Sequence, residues 1–148
     1  IKHNSRPLIF SASMTPASAA SALASLDIME REPERIQHLW DVSNYARKRF
    51  QEAGFDTGIS ETPIIPLLVY DDLKALSMTK DLLEKGVFVN PVISPAVPPG
   101  RSLIRFSLMA THTFEQVDEA VDKMTAAAKK LGILNRPVEM AANVQAKV

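Results

Sequence analysis

In the stretch VPPGRSLIRFSLMATH (97–112) one arginine, Arg105, stands inside an otherwise apolar run. A guanidinium there has two uses. It can lie solvated, with its aliphatic stem along the strand surface, or it can grip a carboxylate through two parallel charge-assisted hydrogen bonds. Strand side chains alternate between faces, so Ile104, Phe106 and Leu108 point one way while Leu103, Arg105, Ser107 and Met109 point the other. The first set reads as core. The second mixes apolar and polar groups and suits an edge facing water or the wall of a binding site equally well.

Other reactive groups are sparse. The three histidines, His3, His38 and His112, have no ligand spacing, and there is no cysteine for a disulfide or a thiolate metal site; a metal site is not expected. No GxSxG surrounds any serine, which argues against a catalytic triad. The five glycines form neither GxGxxG nor a P-loop, so a nucleotide cradle is not expected. Carboxylates and lysines fall mostly on the surfaces of predicted helices, where they read as solvated faces. Lys plus Arg and Asp plus Glu both number 17, a balance that announces neither a nucleic-acid nor a membrane partner. No run reaches the roughly eighteen apolar residues of a membrane span, and IKHNSRPLIF lacks the order of a signal peptide, so the cytoplasm is the expected compartment.

With 148 residues, 46% of them hydrophobic and 23% charged, the chain can bury one substantial core. Thr15 followed by Pro16 predicts a helix start, and the Ala- and Ser-rich surface that follows suits close packing inside the molecule or against a second subunit. Ile36, Leu39, Trp40, Ser43, Ala46, Arg47 and Phe50 fall at helical spacing before Gly54. TPIIPLLVY (62–70) reads as a strand, placed at a sheet edge or bulged because Pro66 lacks a donor. DDLKALSMTKDLLEKG (71–86) predicts a third helix with Leu73, Leu76, Leu82 and Leu83 as its apolar residues. A short strand then enters a loop with Pro91, Pro95, Pro98 and Pro99, ahead of the strand bearing Arg105. Thr113 with Gln116 makes a capping box for the last helix, whose stripe is Phe114, Val117, Val121, Met124, Ala128 and Leu131. The expected fold class is α+β: a small antiparallel or mixed sheet covered on one face by helices.

Three motifs, SRPLIFSASMTPA (5–17), GVFVNPVISPAVPPG (86–100) and SLIRFSLMATHT (102–113), resemble the C-terminal part of the α-oxoamine synthases. These are fold-type I pyridoxal-phosphate (PLP) enzymes that condense an amino acid with an acyl-CoA. The resemblance keeps the family's motif order and spacing over about residues 5 to 134. It implies that residues 1–31 are the end of the large PLP-binding domain with a connecting helix, that 32–134 are the α+β small domain, and that 135–148 are a tail. It implies that Arg105 binds the substrate carboxylate. It further implies that Ser11 donates to the phosphate of the partner subunit's PLP, which makes the enzyme a homodimer, and that Ser94, Pro95, Ala96, Val97 and Pro98 form a mobile loop beside the acyl-CoA site. Some members carry a second arginine just before that loop, where this chain has Ile93. The wording of the last two motifs points to members that take L-serine and a long-chain acyl-CoA, with the makers of 2-amino-3-ketobutyrate and 8-amino-7-oxononanoate as alternatives. The family's Schiff-base lysine lies upstream of the position of Ile1, so no catalytic residue is expected here and the chain is expected to be an inactive part of a longer protein. A stand-alone α+β regulatory or binding module is the alternative of another class.

Overall fold

The computed structural model describes residues 3–9 and 14–134. The elements run α1 (Arg6–Ile9), α2 (Pro16–Arg31), α3 (Glu34–Glu52), β1 (Ile64–Leu68), α4 (Asp72–Glu84), β2 (Asn90–Val92), β3 (Leu103–Ser107) and α5 (Phe114–Lys130). The chain divides into two compact units, Ile1–Ile36 and Gln37–Val148.

In the first unit α2 begins where Thr15 accepts a hydrogen bond from the Ser18 amide, with Pro16 at the first helical position. Ser21 and Ser25 return their hydroxyls to the carbonyls of Ala17 and Ser21 at 2.9 and 2.8 Å. No residue of α2 is buried, and Leu23, Leu26 and Met29 remain exposed.

In the second unit the sheet order is β1-β3-β2 and both pairings are antiparallel. β1 is therefore an edge, where the missing donor of Pro66 costs no ladder bond, and β3 is the central strand. Ile65, Leu67, Ile104 and Phe106 face a core completed by α3, α4 and α5. Phe50 packs edge-on to Phe106 at 5.1 Å and to Phe55 at 5.4 Å. Burying each such aliphatic or aromatic side chain contributes about 1.5 to 3 kcal/mol.

Two helices turn differently from the faces expected of them. On α4 the buried residues are Ala75, Met78 and Leu82, while Leu73, Leu76 and Leu83 are exposed. Spacing of three and four admits either face, and close packing on the sheet selects the one with a small residue at its first turn. On α3 Val42 is buried and Trp40 lies 39% exposed at the margin. The stripe of α5 holds through Val117, Val121, Met124 and Ala128, with Ala120 and Ala127 added and Phe114 half-exposed. Gly86 and Gly132 follow α4 and α5 at φ of 79° and 61°, the left-handed conformation that ends a helix without a Cβ penalty.

Candidate functional site

The face of the sheet away from the core carries Arg105 at its middle. Register places Pro66 of β1 on one side of it and Asn90 of β2 on the other. Leu68, Leu103 and Val92 lie half-buried along the same face, and Arg105 itself is exposed. Its Nε donates to the Ser107 hydroxyl at 3.2 Å, two residues on along the strand. Among the described residues no carboxylate forms an ion pair with it. Other arginines are engaged: Arg49 Nε meets Asp118 at 2.9 Å, Arg31 and Arg35 hold Glu32, and Arg47 donates to the Thr62 carbonyl at 2.7 Å. Among the described residues the terminal nitrogens of the Arg105 fork have no hydrogen-bond partner, and they lie on a partly apolar surface where a bound molecule would lower the dielectric and strengthen a charge pair. β3 is the central strand, so Arg105 does not stand on a sheet edge, and its exposed face suits both a solvated arginine and the wall of a binding site.

Residues 94–98 form part of the connection from β2 to β3. The Ala96 amide bonds to the Ile93 carbonyl at 2.9 Å, the Ser94–Pro95 peptide is cis, and the Arg101 amide bonds to Pro98 at 3.0 Å. Ile93 packs against the core, so the position holds an apolar anchor for the loop instead of a second cation. Ser11 lies outside the described residues.

A polar and aromatic network ties α3 to α5 and to the turn that precedes it. Tyr45 donates to both oxygens of Asp118 at 2.8 and 2.9 Å, and that carboxylate, with partial burial second, pushes the phenol up from its ordinary value of 10.0. Phe114 stands edge-on to Tyr45 at 5.1 Å and to His38 at 6.0 Å. His38 Nε2–H donates to the His112 carbonyl at 3.0 Å, and His112 Nδ1 accepts the Met109 amide at 3.0 Å. Nothing in the sequence marks the Tyr45–Asp118 and His38–His112 pairs, whose members lie 73 and 74 positions apart.

Among the described residues no group of three His, Cys, Asp or Glu could hold a metal ion, and no helix is long and apolar enough to cross a membrane.

Residues 1–124 match the family described as aminotransferase class I and II. The chain is 56% identical over 133 residues to a serine palmitoyltransferase (SPT) of Sphingobacterium spiritivorum, covering 90% of this chain and 33% of that protein. It is 44% identical over 132 residues to an 8-amino-7-oxononanoate synthase of Symbiobacterium thermophilum, covering 89% of this chain and 34% of that protein. A solved structure of SPT with PLP matches with a TM-score of 0.77 at 30% identity, over 90% of this chain and 34% of that one. The chain spans about a third of the length of the relatives it matches.

Proposed function

We infer the function from the family to which the chain belongs, the class I and II aminotransferases, whose chemistry depends on PLP. We propose that the chain is the C-terminal third of a serine palmitoyltransferase, which joins L-serine to palmitoyl-CoA and releases CO2 and CoA to give 3-ketodihydrosphingosine. The higher identity to the SPT relative, 56% against 44% for the oxononanoate synthase, supports this reading over its neighbour. The family match over 1–124 weighs against a stand-alone binding module.

PLP supplies the electron sink for bond breaking at the serine α-carbon. The described residues do not fit the group itself. Lys48, Lys85 and Lys123 pair with carboxylates, Lys74 Nζ donates to the Leu131 carbonyl, and Lys80, Lys129 and Lys130 are exposed on helices. We assign the Schiff-base lysine to the rest of a longer protein and expect this chain alone to be inactive. Residues 1–31 are read as the end of the large domain, 32–134 as the small domain and 135–148 as a tail. Ser11 is read as a donor to the phosphate of the partner subunit's PLP in a homodimer, residues 94–98 as the mobile loop beside acyl-CoA, and the cytoplasm as the compartment.

One observation carries the role of this chain: at the centre of the open sheet face stands a guanidinium with no carboxylate partner among the described residues. Two parallel hydrogen bonds from Arg105 fix the plane of the serine carboxylate, and so fix which α-carbon bond stands ready to break. In the full-length enzyme Arg105→Ala weakens serine binding by about 2 to 5 kcal/mol, the cost of removing one member of a desolvated charge pair. Arg105→Lys recovers part of that, since a point charge cannot reproduce the fork. Palmitoyl-CoA affinity changes little. The measurement is serine titration of the holoenzyme by cofactor absorbance, beside acyl-CoA binding. Equal serine affinity in wild type and Arg105→Ala would remove Arg105 from the site.

A further inference from the structure

The two cross-strand neighbours of Arg105 differ in chemistry. The Leu108 amide bonds to the Pro63 carbonyl at 3.2 Å and the Val69 amide to the Ser102 carbonyl at 2.9 Å. Even-numbered residues of β3 thus turn their backbone groups to β1, and odd-numbered ones turn theirs to β2. Asn90 and Arg105 are therefore a hydrogen-bonded pair of the antiparallel ladder, with Cα atoms about 5.5 Å apart and both side chains on the open face. Across the other flank stands Pro66, whose ring neither donates nor accepts.

Ile64, Leu68, Val92 and Leu103 make the remainder of that face apolar, apart from Ser107. The Ser107 hydroxyl is taken up by Arg105 Nε at 3.2 Å. Asn90 is exposed, and its carboxamide makes no hydrogen bond among the described residues. A neutral carboxamide accepts through Oδ1 and donates through Nδ2. A hydroxyl also does both, so each can satisfy the other, whereas a methyl group leaves the amide unpaired. An amino acid with its carboxylate on the terminal nitrogens of Arg105 is only a few bonds long, so its side chain falls beside that arginine. Toward Pro66 it meets an apolar ring; toward Asn90 it meets an amide.

We propose that Asn90 is a specificity-determining residue of the Arg105 site. Its carboxamide takes the side-chain hydroxyl of the amino acid whose carboxylate lies on Arg105, and so favours L-serine over L-alanine. This inference rests on the serine-binding role proposed for Arg105. The ladder bonds between residues 90 and 105 set the spacing of the two contacts, so one pair of strands reads both ends of the ligand. A group placed to pair with a substrate hydroxyl discriminates against the analogue that lacks it.

The test titrates the full-length holoenzyme with L-serine and with L-alanine, followed by cofactor absorbance, in wild type, Asn90→Ala, Asn90→Asp and Arg105→Ala. Wild type should bind serine more tightly than alanine. Asn90→Ala, at an exposed position, should weaken serine about two- to tenfold, the range of one neutral hydrogen bond, and leave alanine unchanged. Asn90→Asp keeps the size of the side chain but sets a competing carboxylate beside the guanidinium, and should weaken both amino acids. Unchanged serine affinity in Asn90→Ala, or an equal loss for serine and alanine, would overturn the role of Asn90. If Arg105→Ala still weakened serine in that case, the Arg105 reading would stand and Asn90 alone would fall. Serine affinity unchanged in Arg105→Ala would remove both.

Discussion

Along β3, alternate residues serve different ends. Ile104 is fully buried and Phe106 nearly so, packed under helices and against Phe50. Arg105 and Ser107, one step away on the same backbone, are exposed and bonded chiefly to each other. The core face is held by tight mutual packing, so its residues constrain stability. The open face is held by register alone, because Pro66 and Asn90 fix where Arg105 stands without filling the space above it. A rigid strand can therefore present an exposed cation, and substitutions should separate cleanly into losses of stability and losses of binding.

The comparison breaks most visibly at Ile104. Ile104→Ala should lower the unfolding free energy by about 2 to 5 kcal/mol, read as a shifted denaturant midpoint at constant slope; a shift under about 1 kcal/mol would mean that the core face is loosely packed. Thr113→Ala should cost about 1 kcal/mol, because the Thr113–Gln116 box caps the helix that covers that face. Hydrogen exchange should show the loss first in the opening turn of α5. Arg105→Ala should move stability by less than about 0.5 kcal/mol, as for surface positions without partners. A destabilisation rivalling that of Ile104→Ala would erase the distinction between the faces.

Acid gives the smallest effect, and in the helices over the core two carboxylates carry it. Asp81 is held below its ordinary 3.8 by Lys85, and Glu115 below 4.5 by the amide and the Thr113 hydroxyl at the start of α5. Folding lowers both values, so their contribution is present in full above the ordinary carboxylate range and fades as pH falls through the lowered folded values. Denaturant midpoints should be flat above about pH 5 and decline below it. In Asp81→Asn and Glu115→Gln that decline should be shallower.

Much of the fold is local in origin and was readable from neighbouring residues. Thr15 with Pro16, Asp71 and Thr113 start helices because each side chain reaches an amide two or three residues on. Gly86 and Gly132 end them. Alternation divided β3 into two faces and put Arg105 on the less apolar one, but the same alternation suited a solvated arginine equally well, and only the resemblance in the flanking motifs chose between them. Pro66 limited β1 to an edge or a bulge because proline lacks a donor, and the edge is what the sheet shows.

What the chain could not declare from its neighbours depends on residues far apart in sequence. That β3 is central, that Asn90 and Pro66 flank Arg105, and that α4 turns Ala75 and Met78 inward are outcomes of packing three helices on one sheet. Tyr45 meets Asp118, and Tyr70 takes a positive φ of 64° beside a Ser102 carbonyl that accepts two amides, without any local signal. Helix capping and strand alternation are set within a few residues, where covalent geometry limits the choices. Register, helix facing and the lack of a carboxylate beside Arg105 among the described residues are set by which surfaces the whole chain can bury together.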